Sequence, residues 1–297
     1  MKNNRAIKIF TAAVIAATLC FTTSCSSESS PKNEEEKLSV YGGDAVYYSY
    51  YVLPNESELA TIPIITKSTL KSASLNSVET DKTDTPYTFT AELFDIEEGN
   101  EYKGYNLYAL SLRIEADDSD SIVPINVTGI NVTLNDELVH IDIPHFKITN
   151  GIEGINPDSY DDRYLLYGGN GGQVIVYPKL PSQYDPAEIG LIATKELTID
   201  SFIVPDYFTI DNFKVDGVKA DNDNIGKTLK PEENTVFTCS MDYANGSNEA
   251  AIVRTARIVT YTVDNEKRAF IDGAANYVFP GYDNIQALKD YIDKLDK

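Results

Sequence analysis

Short runs rich in Tyr, Val, Ile, Thr and Phe follow one another along this chain of 297 residues, and clusters of Gly, Asn, Asp and Pro separate them. Several runs alternate apolar with polar residues, as strands with one buried face do. Strands do not alternate with long helices, which disfavours a parallel α/β sheet. The pattern predicts a mainly β fold of one or two antiparallel, immunoglobulin-like β-sandwiches. The predicted strands are Ala45–Val52, Thr61–Thr66, Tyr87–Phe94, Tyr105–Glu115, Ile122–Leu134, Leu138–Ile148, Arg163–Tyr167, Gln173–Tyr177, Gly190–Val204, Tyr207–Val215, Thr235–Tyr243, Ala250–Val263 and Arg268–Ile271.

Two segments depart from the strand pattern. Residues 284–296 carry one apolar stripe at helical spacing, which predicts a C-terminal amphipathic α-helix. The stripe consists of Ile285, Leu288, Ile292 and Leu295. We expect this helix to pack against the last sandwich, and a docking helix for a partner is the alternative. Residues 68–77 are a second candidate for a short helix.

An internal similarity suggests that the folded part of the chain has two domains. Residues 122–137 (IVPINVTGINVTLNDE) and residues 203–218 (IVPDYFTIDNFKVDGV) align at a shift of 81 residues, with five identities in sixteen positions. Each string ends near an Asn-Asp or Asp-Gly pair, which is typical of a tight hairpin turn. We therefore predict sandwich domains at 38–155 and 156–297, the second including the C-terminal helix. Chance similarity between two β-rich, Asn- and Asp-rich strings is the alternative.

The amino-terminal segment 1–24 has the parts of an export signal. Lys2, Arg5 and Lys8 make a positive start, an apolar run follows, and small polar residues precede Cys25. The apolar run is shorter than the roughly 20 residues that a membrane-spanning helix needs. We therefore expect cleavage rather than a retained anchor helix.

The residues before Cys25 resemble the lipobox of bacterial lipoproteins. Ser24 is the small residue that this family has before its lipidated cysteine, whereas Thr22 stands where leucine is usual. Cys20 is a weaker candidate because Leu19 before it is too bulky. The resemblance implies that Cys25 is diacylated and becomes the new amino terminus. Two acyl chains hold a protein on a membrane stably.

Residues 25–37 are polar and rich in Ser and Glu, which predicts a flexible tether behind the lipidated Cys25. Cleavage removes three cations and no carboxylate, so the formal net charge changes from −21 to −24. This acidity argues against nucleic acid and against anionic lipid surfaces, because both would repel the chain. We expect an extracytoplasmic protein of the bacterial cell envelope, with the bilayer and a glycan or envelope protein as partners.

Four tyrosines crowd the first predicted strand, namely Tyr47, Tyr48, Tyr50 and Tyr51. Their rings could form a stacking platform for a glycan. The chain has no Trp, however, and Tyr is an ordinary strand residue with an apolar body and a polar tip. We therefore expect these rings to serve the fold.

A glycine run and a cysteine also have two interpretations each. The run at 168–172 is followed neither by Lys-Ser/Thr nor by a helical pattern, so a hairpin turn is favoured over a phosphate loop. Cys239 is the one cysteine left after the signal and the lipidated position are set aside. It lies in an alternating run, which favours a buried small hydrophobe over a nucleophile.

Three acidic clusters and two histidines raise the question of a metal. The clusters are Asp117, Asp118 and Asp120, then Asp158, Asp161 and Asp162, then Asp221 and Asp223. None has EF-hand spacing, so we expect solvated turns, with weak Ca²⁺ binding as the alternative. His140 and Asp142 share a strand face, whereas Pro144 obscures the direction of His145. Without a third His or an available Cys, we expect no metal centre and no cofactor.

The chain contains neither a G-x-S-x-G nor an H-E-x-x-H motif, and we predict no catalytic residue. We expect a non-enzymatic binding or structural role at the envelope. One alternative is a surface hydrolase acting on glycan or peptide, whose paired carboxylates cannot be chosen among 46 acidic residues. The other is a solute-capture lipoprotein, which would need two α/β lobes.

Overall fold

The computed structural model describes the chain from Leu38 onward, with gaps. The described residues are 38–118, 121–156, 159–160, 163–167, 187–204, 208–243, 252–254, 256–272, 276–277 and 286–297. The predicted signal 1–24, the tether 25–37 with Cys25, and the glycine run 168–172 lie outside the described residues. Residues 38–297 belong to one compact unit.

The described part of the chain is mainly β, which confirms the predicted fold class. Its strands are β1 (Val46–Tyr51), β2 (Ser57–Thr66), β3 (Ala73–Thr80), β4 (Tyr87–Tyr102), β5 (Tyr105–Ala116), β6 (Ile125–Leu134), β7 (Glu137–Thr149), β8 (Leu165–Tyr167), β9 (Ala187–Ala193), β10 (Leu197–Ile203), β11 (Phe208–Val215), β12 (Val218–Lys219), β13 (Lys227–Leu229), β14 (Asn234–Tyr243), β15 (Ile252–Arg254), β16 (Arg257–Val263), β17 (Glu266–Asp272) and β18 (Asn276–Tyr277). A 3₁₀ turn at Gly43–Ala45 precedes β1, and helix α1 spans Gln286–Leu295. No helix in the described ranges has the length and apolar character that a membrane crossing requires.

Two sheets enclose the first hydrophobic core. Sheet I has the strand order β2-β5-β4, and sheet II has the order β18-β15-β1-β7-β6-β3. Alternate residues of each strand point into the core, so Ile62 and Ile64 of β2 meet Val132 and Leu134 of β6 in one fully buried cluster. Two sheets with interleaved inner faces form a β-sandwich.

The second core lies between two further sheets, which are antiparallel throughout their described strands. Sheet III has the order β13-β10-β16-β17, and sheet IV has the order β12-β11-β14-β9-β8. Phe202 comes from sheet III, while Phe213 and Phe237 come from sheet IV. The Phe202 ring centroid lies 5.2 Å from that of Phe213 and 5.9 Å from that of Phe237. The three rings therefore connect the two sheets of the second sandwich.

Sheet II departs from the antiparallel expectation at its central strand. Strand β1 pairs in parallel with β7, residues 48–51 against 146–149, and in parallel with β15, residues 46–48 against 252–254. Parallel strands require cover on both faces, and residues 46–50 of β1 are all buried. Because β15 leads into β16 of the second sandwich, β1 joins the two halves of the chain in one sheet.

A third, small apolar cluster lies where the two sandwiches meet. Ile155, Ile258 and Ala269 are its buried members, and Tyr51 of β1 and Ile203 of β10 pack against them. The two sandwiches are therefore in direct contact at this junction. The predicted boundary between the two domains, after residue 155, falls within this apolar cluster and stays a prediction.

The C-terminal helix packs against the first core rather than the last sandwich. Tyr291 and Ile292 are buried in that core, and Leu295 is half-buried against it. The expected placement was wrong because β15 and β18, which precede α1 in the chain, lie in sheet II. The predicted short helix at 68–77 is also wrong, because β3 begins at Ala73 and pairs with β6.

The two similar strings each form a strand, a tight turn and a second strand. The β6–β7 turn has Asn135 and Asp136 at φ 47° and 70°, and the β11–β12 turn has Asp216 and Gly217 at φ 51° and 78°. Each turn therefore has two successive residues with positive φ. Such a turn matches the right-handed twist of the two strands that it connects. These turns occupy the same place in the 81-residue alignment, which confirms the predicted turn positions.

Several loops meet the start of the folded body at one end of the first sandwich, which we call the tether end. Tyr41 and Ile65 exchange two backbone hydrogen bonds of 2.9 Å, which fixes the start of the folded body beside the last residues of β2. The Asn135 side chain in the β6–β7 turn accepts a hydrogen bond from Lys71 N at 2.7 Å and donates to Thr69 O at 2.7 Å. From this end β1 runs toward the junction with the second sandwich.

We predict that Gly43→Ala destabilises the protein by about 3 kcal/mol, because extra atoms in a packed interior force backbone shifts. A Cβ at Gly43 would lie 2.1 Å from the Asp142 carbonyl oxygen, where the 3₁₀ turn rests on β7. Gly104→Ala is the matched control, because φ is 76° there and nothing lies within 4 Å of its Cβ position. We expect that control to cost about 1 kcal/mol in urea unfolding. Equal costs would show that the 3₁₀ turn is not packed in this way.

Candidate functional site

The tyrosine rings of β1 pack inside the fold, so they cannot form the stacking surface for a glycan that was considered for them. Tyr47, Tyr48 and Tyr50 are buried, and Tyr51 is half-buried at the junction. Tyr48 OH donates to the Thr61 carbonyl at 2.5 Å. Tyr50 OH likewise donates to a β2 carbonyl, at 3.0 Å. Their rings fill the first core while their hydroxyls bond to sheet I.

The two histidine side chains have different neighbours. His140 Nε2 lies 3.1 Å from Asp142 Oδ1, which confirms that these two residues share a face of β7. Its Nδ1 lies 3.7 Å from Glu79 on β3, so the ring sits in an exposed polar row across sheet II. His145 turns away and stacks on Tyr47, with ring centroids 4.1 Å apart. Across the described residues, no three His, Cys, Asp or Glu side chains are placed to hold a metal.

The acidic clusters are only partly within the described residues. Asp117 and Asp118 are exposed, and Asp223 N donates to Asp221 Oδ1 at 3.1 Å, as in a polar turn. The remaining members, Asp120, Asp158, Asp161 and Asp162, lie outside the described ranges. The expectation of solvated turns, with weak Ca²⁺ binding as the alternative, stays a prediction for these clusters.

Cys239 is a buried member of the second core, which confirms the structural interpretation. Burial raises the pKa of its thiol to about 11, although the nearby Arg257 guanidinium acts in the opposite direction. The thiolate is the reactive form of cysteine, so this side chain is a poor nucleophile at neutral pH.

The surface with the clearest binding chemistry lies at the tether end. We call it the tyrosine–lysine surface, and it consists of Tyr41, Lys67, Tyr102, Lys103, Tyr105 and Lys289. The Lys67 ammonium lies 4.8 Å from the centre of the Tyr105 ring. The Lys103 and Lys289 ammonium groups lie 5.7 and 5.4 Å from the centre of the Tyr102 ring. These are cation–π distances.

The exposure of this surface differs along its length. Tyr41 meets Tyr105 edge-on at 6.2 Å and keeps 38% of its own surface exposed, whereas Tyr105 is buried. Lys67 is exposed, and its ammonium contacts a ring rather than a carboxylate. Exposed ammonium groups beside amphipathic rings suit a ligand that presents both anionic oxygen atoms and apolar surface.

Helix α1 completes this surface and is held there by hydrogen bonds that two carboxylates accept. Tyr291 OH donates to Asp44 Oδ1 at 2.5 Å, and Lys103 Nζ lies 2.7 Å from Asp293 Oδ1. Burial, followed by the hydrogen bond to Asp44, raises the pKa of Tyr291. The hydrogen bond from Lys103 lowers the pKa of Asp293. The helix therefore positions Lys289 against the Tyr102 ring.

Sequence reasoning missed the tyrosine–lysine surface because its members are scattered from Tyr41 to Lys289. One local signal was present, since Tyr102-Lys103-Gly104-Tyr105 resembles a two-residue hairpin turn between tyrosines. The structure gives Lys103 and Gly104 φ values of 51° and 76°, as such a turn requires. The contribution of α1 could not be anticipated because the helix was assigned to the other sandwich.

We predict that His145 makes stability depend on pH between about 7.5 and 5.5. Burial lowers the pKa of His145, and the nearby Asp44 carboxylate offsets this only in part. As the pH falls below the unfolded pKa of about 6.5, the unfolded chain gains more protons than the folded one. The stability contributed by the neutral ring is thus present above pH 6.5 and is lost below it.

Thermal unfolding of His145→Phe across this pH range tests the effect of His145 on stability, because Phe keeps the stacking on Tyr47 and cannot titrate. We expect the melting temperature of the wild type to fall with pH more steeply than that of His145→Phe. Parallel curves for wild type and His145→Phe would contradict this role.

Comparison with known proteins assigns no family to the chain. No family model matches it, and no curated protein matches it. It is similar to the N-terminal periplasmic domain of ScsB from Proteus mirabilis, with 9% identity and a TM-score of 0.20 over 75% of this chain and 89% of that one. It is also similar to domains 5–6 of the S-layer protein SbsC, with 14% identity and a TM-score of 0.18 over 80% of this chain and 97% of that one. These TM-scores are too low to support a conclusion about this chain.

Proposed function

We propose that the protein is a cell-envelope lipoprotein, held on a membrane by acyl chains on Cys25, with a non-enzymatic structural or binding role outside the cytoplasm. The lipobox-like residues before Cys25 support the attachment. The polar residues 26–37 then act as a tether between the lipid and the folded body. The two sandwiches carry the surfaces that meet other components of the envelope.

The position of β1 is the observation that carries the proposal. It is the first strand after the tether, and it lies between β7 and β15 in the middle of sheet II. Val52 N extends the contact with β7 by donating to the Thr149 carbonyl at 2.9 Å. Force applied to the tether therefore reaches both sandwiches through hydrogen bonds along both edges of β1. A body built in this way suits a protein that must stay folded while attached to a membrane.

The solute-capture alternative is less well supported than this proposal. It requires two α/β lobes around a hinge, whereas the described residues form β-sheets with α1 as their α-helix. A body of two sandwiches in direct contact at Ile155 and Ile258 instead suits a rigid structural or binding role.

The proposal predicts that Cys25→Ala abolishes membrane attachment. Cells producing the wild type should have the protein in the membrane fraction, with an amino-terminal peptide whose mass includes acyl chains. Cys25→Ala should lose the added mass and leave the membrane fraction, because the thiol that carries the acyl chains in this proposal is gone. Cys20→Ala is the matched control, since Cys20 departs with the signal, and it should behave as the wild type. A Cys25→Ala protein that stays membrane-bound with an unchanged mass would refute the attachment.

A further inference from the structure

We infer that the tyrosine–lysine surface is the face of the protein that lies against its own membrane, with the lysines contacting phosphate groups of the lipid headgroups. The inference rests on the proposed attachment through Cys25. Attachment brings this part of the body to the bilayer, where lysine ammonium groups and tyrosine rings face the lipid headgroups.

The length of the tether and the place where it ends support this orientation. Residues 26–37 make twelve residues, which span at most about 40 Å when fully extended and about 20 Å on average as a flexible chain. The chain is fixed from the point where the folded body begins, because Leu38 and Val40 pack against the first core and Tyr41 pairs with Ile65. The tether end is therefore the end that the membrane can reach.

The second sandwich lies on the other side of the first one from this surface. Strand β1 begins at Val46, beside the 3₁₀ turn that binds Tyr291 of α1, and it ends at Tyr51 in the junction cluster. The start of the folded body and α1 thus meet the first sandwich at one end of β1, and the second sandwich meets it at the other. A body standing on its tether end presents the second sandwich away from the bilayer.

Exposed carboxylates occur at both ends of the first sandwich, and at the tether end they include Glu101 and Asp136. The loops at the junction end carry exposed carboxylates, including Glu56, Asp84 and Asp117. At the tether end, Asp293 is matched by Lys103, and Asp296 accepts a hydrogen bond from Tyr105 at 3.2 Å. These carboxylates are engaged within the protein, while Lys67 remains exposed on the ring of Tyr105.

The net acidity of the chain does not forbid this contact. At physiological ionic strength, charges more than about 8 Å from the headgroups are largely screened, so only the local surface decides the interaction. Lysines and the amphipathic rings of tyrosine are the side chains that settle at the membrane–water interface. The expectation that the acidic chain avoids lipid surfaces therefore does not extend to this end of the molecule.

The contact needs little affinity of its own. A short flexible tether holds the body at an effective concentration in the millimolar range near the lipid, so a contact of millimolar affinity is occupied much of the time. The expected result is a preferred orientation rather than independent binding of the unattached body.

The absence of Trp from the chain makes the orientation measurable with single reporters. Tyr41→Trp places a reporter on the surface, and Val218→Trp places one at a position 70% exposed in the β11–β12 hairpin of the second sandwich. The mature chain beginning at Cys25 is coupled through that thiol to maleimide lipid in vesicles of phosphatidylethanolamine and phosphatidylglycerol. Cys239 does not compete, because it is buried and its pKa is raised. Lipids with brominated acyl chains then quench a Trp that reaches the interface.

We expect loss of fluorescence for Tyr41→Trp and none for Val218→Trp. Adding Lys67→Glu should reduce the quenching of Tyr41→Trp, because its carboxylate would face the headgroup phosphates. Adding Lys219→Glu, the same charge change on exposed β12, should leave the quenching unchanged. Equal quenching at the two reporters, or equal effects of the two charge changes, would overturn the inference. Chemical coupling keeps this result independent of acylation in cells, so a failure of the proposed attachment is detected separately by the Cys25→Ala experiment.

Discussion

The parallel pairing of β1 with both β7 and β15 connects the two sandwiches through one sheet. A strand in this position must be covered on both faces, and its tyrosines meet that requirement with large rings whose hydroxyls bond to neighbouring carbonyls. At its start the strand is preceded by a turn so close to β7 that only glycine fits at Gly43. At its end Tyr51 enters the cluster that joins the sandwiches.

This arrangement gives the first sandwich two different ends. One receives the start of the folded body, the β4–β5 and β6–β7 turns and helix α1, so the amino- and carboxyl-terminal parts of the body meet there. The other receives the second sandwich. The proposed lipid-facing surface follows from this polarity together with the proposed attachment, because a tether fixed at one end determines which residues lie near the membrane.

Local sequence patterns predicted those features that depend on local forces. Strands β5, β6 and β14 follow from alternation, and the turns at Asn135–Asp136 and Asp216–Gly217 follow from residues that tolerate positive φ. The β1–β15 pairing joins residues about 200 positions apart and leaves no trace in either strand. Residues 73–80 became a strand because β6 offers a partner, although their own sequence suggested a helix in part. The tyrosine–lysine surface required both the fold and the unexpected location of α1.

Calorimetric unfolding of the mature chain tests whether β1 couples the two sandwiches, because a strand bonded to both halves of the body makes them unfold together. We expect one transition in which the calorimetric and van't Hoff enthalpies agree. Two resolved transitions, each with its own enthalpy, would show that the sandwiches unfold independently. That result would contradict the role assigned to β1.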